Sequence, residues 1–435
     1  MAGGQIKQKT GLAILAVGIV ALEFAAAVTS FVASTLLPVV AADLSARNNL
    51  ALLIAGSTLG LFVALPLASR VLRLLGARGT LGVGVLAYIG GLVVASTAQT
   101  AWVFALGQFA NGLASGLLAV FGISSAIRHL DEQLRIRVVA ASSAMWILPA
   151  LVGPAATLGL EHLVGWRWTL LVPVPFVLFG RLLVVRAVRG DPPDESAHRP
   201  LARTLLIPLG AAGVVLSMGL WPLAIIGAAV ALAGMITLMP AGTARFRPGA
   251  PAALGTMVLF AVGYFGADGL ITVLLTSGLR MSLGQAAIVL SAAPLAWGVT
   301  SLVATRFTSA RNKRGFPPTG LGLAALGTAA LAAQLVVDLP FAVAVVAWAV
   351  AGIGVGLAYP GLYIKATTAG KGGFTATELA TAVITAECTG QLLGQAIGGT
   401  LSSADGSSGL LGSYVLFAVV LMAAAVASRR ATITE

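Results

Sequence analysis

The chain has 435 residues, 58% of them hydrophobic and only 9% charged, with a mean hydropathy of +0.99. Soluble domains carry roughly 25% charged residues, so this much apolar surface requires the bilayer as solvent. The net charge of +12 would suggest nucleic acid in a soluble protein, but here the placement of the charges excludes that partner. A single cysteine, Cys388, rules out an internal disulfide framework and a cysteine-based metal site. The three histidines, His129, His162 and His198, fall in predicted loops or at helix ends. No HExxH, P-loop, dinucleotide or GxSxG motif occurs, so the chain reads as no enzyme and as needing no cofactor or metal.

In chain order, Lys7 and Lys9 precede an apolar run from Gly11 to about Val40. A signal-peptide core is roughly 7–15 residues, so this longer run reads as a first membrane helix. Fourteen apolar segments follow the pattern: 11–38, 50–72, 79–98, 101–127, 136–161, 168–188, 203–219, 222–241, 251–277, 284–305, 316–337, 341–364, 376–401 and 409–428. The seventh and eighth are short and closely joined; twelve helices plus a re-entrant hairpin is the alternative. With the N-terminus in the cytoplasm, 23 of the 26 Lys and Arg residues fall in cytoplasmic loops or tails, leaving Arg47, Arg167 and Arg280 outside. That asymmetry is the positive-inside pattern, and it explains the basic isoelectric point without nucleic acid. The one linker-like stretch, Arg189 to Arg203, is polar, mixed in charge and holds three prolines. It predicts an N-terminal six-helix block over 1–190, a connecting region with two additional helices over 191–250, and a C-terminal six-helix block over 251–435.

Four stretches carry a family resemblance. LLPVVAADL (36–44), QFANGLASG (108–116), WILPALVGPAATLG (146–159) and GWRWTLLVPVP (165–175) resemble helix-one, -four, -five and -six motifs of major facilitator superfamily transporters, in their 14-helix drug:proton antiporter branch. The resemblance implies an all-α polytopic membrane protein with two six-helix bundles and two extra helices between them, moving a small-molecule substrate by alternating access. It departs at named places. Arg73 stands where the loop after helix two would hold an Asp, although Gly76 and Arg78 match. Gln108 replaces the fourth-helix Arg tied to proton coupling, and Thr29 takes the place of a helix-one acid. Gly153 and Pro154 match the fifth-helix pair, which with Arg73 and Arg78 implies gating positions.

Three acids lie inside apolar spans: Glu23, Asp268 and Glu387. Glu23 and Glu387 are about 18 Å from their helix starts, near mid-bilayer. A charged acid there costs roughly 2.5–3.5 kcal/mol on insertion scales, and no Lys or Arg lies at comparable depth, so these are the proton-coupling candidates. Narrow polar stripes accompany them: Glu387, Gln391 and Gln395; Tyr264, Asp268 and Thr272; Glu23, Ser30 and Ser34; Gln108, Asn111 and Ser115. Such stripes face a bundle interior, making Ser30, Gln108, Asn111, Tyr264, Gln391, Gln395 and, beside Pro360, Tyr359 candidate substrate contacts. Glu378 is set apart: Thr375 and Glu378 have the spacing of a capping box. Trp146, Trp166 and Trp168 read as membrane-interface anchors.

A cavity with acids and amides but no base suits cations and neutral amphiphiles. The expected protein is a monomeric, multi-pass plasma (inner) membrane exporter of small lipophilic or cationic compounds, coupled to protons, with both termini cytoplasmic. Uptake or uniport of a lipid, sugar or other metabolite is the alternative, and a non-transporting scaffold or receptor on the same fold is a further one.

Overall fold

Within hydrocarbon no water is available to the peptide groups, so each segment must satisfy its own hydrogen bonds as a helix. The computed structural model describes residues 2–46, 50–187, 205–217, 220–304, 310–337, 339–368 and 373–431, and no strand occurs among them. The predicted linker from Arg189 to Arg203 lies outside these residues.

The helices are α1 (Ala2–Asp43), α2 (Leu50–Ser96), α3 (Ala101–His129), α4 (Glu132–Ala144), α5 (Ile147–Thr169) and α6 (Val174–Ala187). Then come α7 (Leu206–Val215) and α8 (Trp221–Leu238). The C-terminal part holds α9 (Ala250–Gly278), α10 (Leu283–Ala304), α11 (Ala310–Ala333), α12 (Phe341–Ala366) and α13 (Ala376–Ala427).

Two of these are folded-back pairs. In α2 the chain turns at Gly76, whose φ of 63° is one that glycine adopts without steric cost. Both legs then pack on α3, with Gly60 against Phe109 and Gly91 against Gly107 and Asn111. In α13 the Ser413 hydroxyl donates to the Gly398 carbonyl at 3.4 Å. On a straight helix fifteen residues would separate them by about 22 Å, so the chain reverses between them.

Among the described residues nine helices are long and apolar enough to cross a bilayer, and up to eleven if each of two bent pairs is one span. The fourteen crossings expected from sequence are therefore not reproduced. The predicted seventh segment is helical over only ten residues, α7, about 15 Å against a hydrocarbon core of about 30 Å. The predicted thirteenth is diluted by Glu378, Glu387, Gln391 and Gln395. The predicted second and sixth are bent by 70° and 63°, at breaks that contain Pro66 and Pro173.

Packing separates the two halves and marks where they meet. One core joins α1, α2, α3, α4 and α6 through Leu15, Leu81, Tyr88, Phe121 and Val184. Another joins α9 to α13 through Tyr264, Trp348, Val355 and Phe417. The α7–α8 hairpin closes on itself with glycines, Gly213 meeting Gly227 and Gly234 meeting Ile207, and then packs on both α2 and α13.

The ends of the helices define two faces. One carries Gly76, Arg128, Asp131, Arg245 and Arg247 and is called the basic face. On the opposite face the Asp43 carboxylate takes a 3.0 Å ion pair from Arg167 and a 3.1 Å hydrogen bond from the Trp166 indole. Arg167 also donates to the Ala98 carbonyl and lies 4.3 Å over the Trp166 ring. Two of the stretches that resemble family motifs, 36–44 and 165–175, thus form one clasp. Trp166 is buried there and works as a hydrogen-bonded core residue, while Trp168 is exposed, as an interface anchor would be.

Candidate functional site

The middle of the protein is built on three helices with local irregularities. The α4–α5 connection breaks at Met145–Trp146, and this aims the Trp146 indole into the bundle, where its N–H donates to Glu23 at 3.1 Å. Trp146 is therefore a partner of the helix-one acid, not an interface anchor. In α12, Pro360 has no N–H to offer the Gly356 carbonyl, and the Ser301 hydroxyl donates to that carbonyl instead, at 3.3 Å. Beside this break the Tyr359 hydroxyl donates to Glu387 at 2.6 Å. Glu23, from the N-terminal half, lies within electrostatic range of Glu387, Tyr359 and Tyr363 of the C-terminal half. Neither Glu23 nor Glu387 forms an ion pair among the described residues.

Aromatic rings wall the C-terminal side. Tyr359 lies 5.5 Å from Trp297, 5.8 Å from Tyr363 and 6.1 Å from Phe260. Phe260 stacks on Tyr264, and Tyr264 stacks on Trp348 at 5.4 Å. Faces of this kind attract cations. Sequence patterning found Tyr264 and Tyr359 and missed Phe260, Trp297 and Trp348, because an aromatic residue in an apolar helix carries no signal of which way it faces.

Asp268 occupies a separate place. It sits on the eight-residue stretch Gly266–Val273 of α9, between π-helical turns at Ala261–Phe265 and Leu274–Gly278. Such turns insert a residue and re-aim the helix surface, and they recur at functional positions. The Tyr414 hydroxyl donates to the Ala267 carbonyl there, at 2.8 Å. Asp268 is exposed although protein surrounds it, so it lines a recess between helices. Gln391 and Gln395 are exposed as well, and a methyl group on Gly269 would lie 3.1 Å from the Gln395 side chain. Gln395 and Asp268 therefore share this recess. Ser30 is exposed on α1, and the Ser34 side chain lies outside the described residues.

The other predicted positions fall elsewhere. Gln108 and Asn111 are buried where α3 meets α2, against Gly56 and Gly91. Tyr88 of α2 bonds Thr29, the position where the resemblance places an acid. Gly153 packs on Phe31 of α1, and α5 runs on through it; the positive φ of that helix, 81°, is at Gly165. The Pro154 side chain lies outside the described residues. Arg73 is half-buried and Arg78 exposed, on either side of the Gly76 turn. Glu378 caps α13, and both capping-box bonds with Thr375 are present, at 3.0 and 3.2 Å.

The two halves are tied on the basic face by contacts that the sequence did not announce. Ser124 and Thr377 share a hydrogen bond at 3.0 Å, and Arg128 donates to Thr377 at 3.4 Å. Buried Arg135 donates to the Thr367 carbonyl at 3.3 Å and to the Thr368 hydroxyl at 3.2 Å.

The Major Facilitator Superfamily model matches residues 19–377. The chain belongs to the major facilitator superfamily. A probable multidrug-efflux transporter from Mycobacterium tuberculosis is 30% identical over 220 residues, 49% of this chain and 46% of that protein. An MFS-type transporter of the acurin A biosynthesis cluster of Aspergillus aculeatus is 28% identical over 217 residues, 48% of this chain and 38% of that one. The matches thus span less than half the length of these relatives. Among solved structures, a human organic anion transporter superposes with a TM-score of 0.71 at 10% identity, covering 97% of this chain and 99% of its own. A proton:xylose symporter gives 0.65 at 14% identity, covering 96% and 94%. At such identities these two speak to the fold alone.

Proposed function

We propose that this chain is a secondary transporter of the plasma (inner) membrane that exports small lipophilic or cationic compounds in exchange for protons, with both termini cytoplasmic. The observation that carries the reading is that Glu23 and Glu387, one from each half, lie within electrostatic range of each other and accept from a neutral indole and a neutral phenol, with no ion pair to either among the described residues. Two like carboxylates in a low-dielectric site cannot both be ionised cheaply, so the site takes a proton or a cation. Each can displace the other, which is the exchange an antiporter needs. The aromatic wall around Tyr359 and the open recess at Asp268, Gln391 and Gln395 suit a cationic or amphiphilic substrate. The relatives named as multidrug-efflux transporters point the same way.

The working unit is a monomer in the bilayer, organised as a six-helix block over 1–190, the α7–α8 pair within 191–250, and a six-helix block over 251–435. This layout counts the two legs of α2 and of α13 separately and takes α4 to α6 as two crossings, Glu132–Gly153 and the bent pair Ala156–Thr169 with Val174–Val185, while α7 is too short to cross. The blocks rock about the acid site. The gate on the cytoplasmic face is the set of bonds from Arg128 and Arg135, with Arg73 and Arg78 at the neighbouring turn. Gly153 and Pro154 provide the point where α5 flexes against Phe31.

The test is transport in liposomes with an imposed proton gradient, using tetraphenylphosphonium and ethidium as probes. Glu387→Gln is expected to abolish gradient-driven accumulation while leaving probe-for-probe exchange in place. Full coupled transport in that variant would sink the assignment of Glu387, and loss of both activities together with normal folding would make it a substrate contact only.

A further inference from the structure

The recess at Asp268 is a second polar place in the C-terminal half, apart from Glu387, and helix packing gives the separation. The α9 helix and the first leg of α13 both start from the basic face. Along them Gly394 lies against Val262 and Gly266, and Gly398 against Leu270. Asp268 therefore stands level with Gln395, whose side chain reaches Gly269. Gln395 follows Glu387 by eight residues, which at 1.5 Å per residue is about 12 Å farther from the basic face. Gln391 lies between them, one turn from each.

The recess offers acceptors and no matching donor. Among the described residues no hydrogen bond or ion pair reaches the Asp268 carboxylate, and no hydrogen bond reaches the side chains of Gln391 and Gln395. The titratable groups within electrostatic range of Asp268 are the phenols of Tyr264 and Tyr414, which bring no positive charge. The Tyr414 hydroxyl is engaged by the Ala267 carbonyl, which fixes the stretch that carries Asp268. Thr272 is exposed one turn along the same stripe of α9. An acid at membrane depth is costly without a partner, so a ligand of opposite charge completes this arrangement.

We propose that the recess is a second cation site, distinct from Glu387, and that it takes protonated amines. A primary ammonium has three N–H donors, matched by the Asp268 carboxylate, the Gln395 amide oxygen and the Thr272 hydroxyl. A quaternary cation has no N–H for the amide and hydroxyl, and gains instead at aromatic faces such as those around Tyr359. The two places thus sort cations by whether they carry N–H. The choice of a cation as ligand rests on the export reading above. On that reading a compound displaced from Glu387 by a proton passes Asp268 on its way to the opposite face.

Isothermal titration of the purified full chain with phenethylamine and with its N-trimethylammonium analogue tests the site. The wild-type chain is expected to bind two equivalents of the amine and one of the quaternary cation. Asp268→Asn is expected to leave one amine equivalent and an unchanged quaternary isotherm, and Gln395→Leu to weaken the second amine equivalent several-fold. Asp268→Glu should keep that equivalent, which separates loss of the carboxylate from loss of folding. A single amine equivalent in the wild-type chain, removed by Glu387→Gln and indifferent to Asp268→Asn, overturns the proposal and leaves the Glu387 site standing. A second quaternary equivalent overturns the selection for N–H. Binding of neither cation overturns this site and the cation-export reading together. In liposomes Asp268→Asn should slow export of the amine more than export of the quaternary cation, and equal slowing overturns the place of Asp268 on the route.

Discussion

The two faces of the molecule are held by different kinds of contact. On the basic face the bonds run between the halves: Ser124 and Arg128 to Thr377, and Arg135 to Thr367 and Thr368. On the opposite face the Asp43–Arg167–Trp166 clasp stays within the N-terminal half, tying α1 to α5 and to the α2–α3 connection. Ser30, Asp268, Gln391 and Gln395 are exposed, and the threonines that follow Thr377 along α13, Thr381, Thr385 and Thr389, are buried. One face therefore has bonds that must break for the halves to part, and the other has bonds that survive any such motion. The difference teaches which residues set a conformational equilibrium and which merely stiffen a rigid body.

The sharpest way to break this comparison is Arg135→Gln. A hydrogen bond from a charged donor contributes roughly 1.5–3 kcal/mol, and Arg135 makes two across the seam at long distances. Allowing for relief of its own burial, a net change of about 1.4 kcal/mol shifts the closed-to-open ratio about ten-fold. Maleimide labelling of Thr381→Cys in a Cys388→Ser chain, from the basic face, should rise by that factor, because the hydroxyl it replaces is buried without a partner behind the clamp. Unchanged labelling would show that apolar packing alone keeps this face shut. Thr377→Val gives a smaller effect of the same sign. It keeps the side-chain shape and removes the hydroxyl that bonds both Ser124 and Arg128, which is a loss of about 1 kcal/mol, or about five-fold in labelling.

Much of this was legible in the sequence. Helical class follows from composition. The capping box at Thr375 and Glu378 follows from spacing, and it forms as expected. The acids Glu23 and Glu387 were visible because a carboxyl group in an apolar run is costly. What could not be read is who meets whom. That Trp146 reaches Glu23 depends on a two-residue break between α4 and α5, and that Asp268 stands apart depends on two π turns in α9. Neither irregularity has a sequence signature as strong as proline. The crossing count failed for a related reason. Apolar length does not say whether a stretch such as 203–219 crosses or, like α7, stops after ten residues and packs on α2.

A further variant compares the two donors of the acid site. Trp146→Phe and Tyr359→Phe each remove one hydrogen bond, from Glu23 and from Glu387, and leave an aromatic ring in place. Each should change the proton dependence of transport more than the maximal exchange rate, by several-fold, since a lost bond to a carboxylate contributes about 1.5–3 kcal/mol. Measuring both in the same liposome assay distinguishes the halves: a shift from Tyr359→Phe alone would assign the exchanged proton to Glu387.

The smallest effect belongs to the clasp. Asp43 and Arg167 are 44% and 37% exposed, and pairs that open to solvent contribute about 0–1 kcal/mol. Asp43→Asn retains an oxygen that can accept from the Trp166 indole, so only the charge is lost. The melting temperature in detergent should fall slightly, and less so at high salt, where the pair is already screened. Labelling of Thr381→Cys from the basic face should not move at all. That null is informative because the clasp and the clamp are both arginine-centred and would look alike in a list of polar contacts. If Asp43→Asn instead altered basic-face labelling as Arg135→Gln does, the opposite face would have to bear on the same equilibrium. The clasp would then be part of a second gate, not a brace within one half.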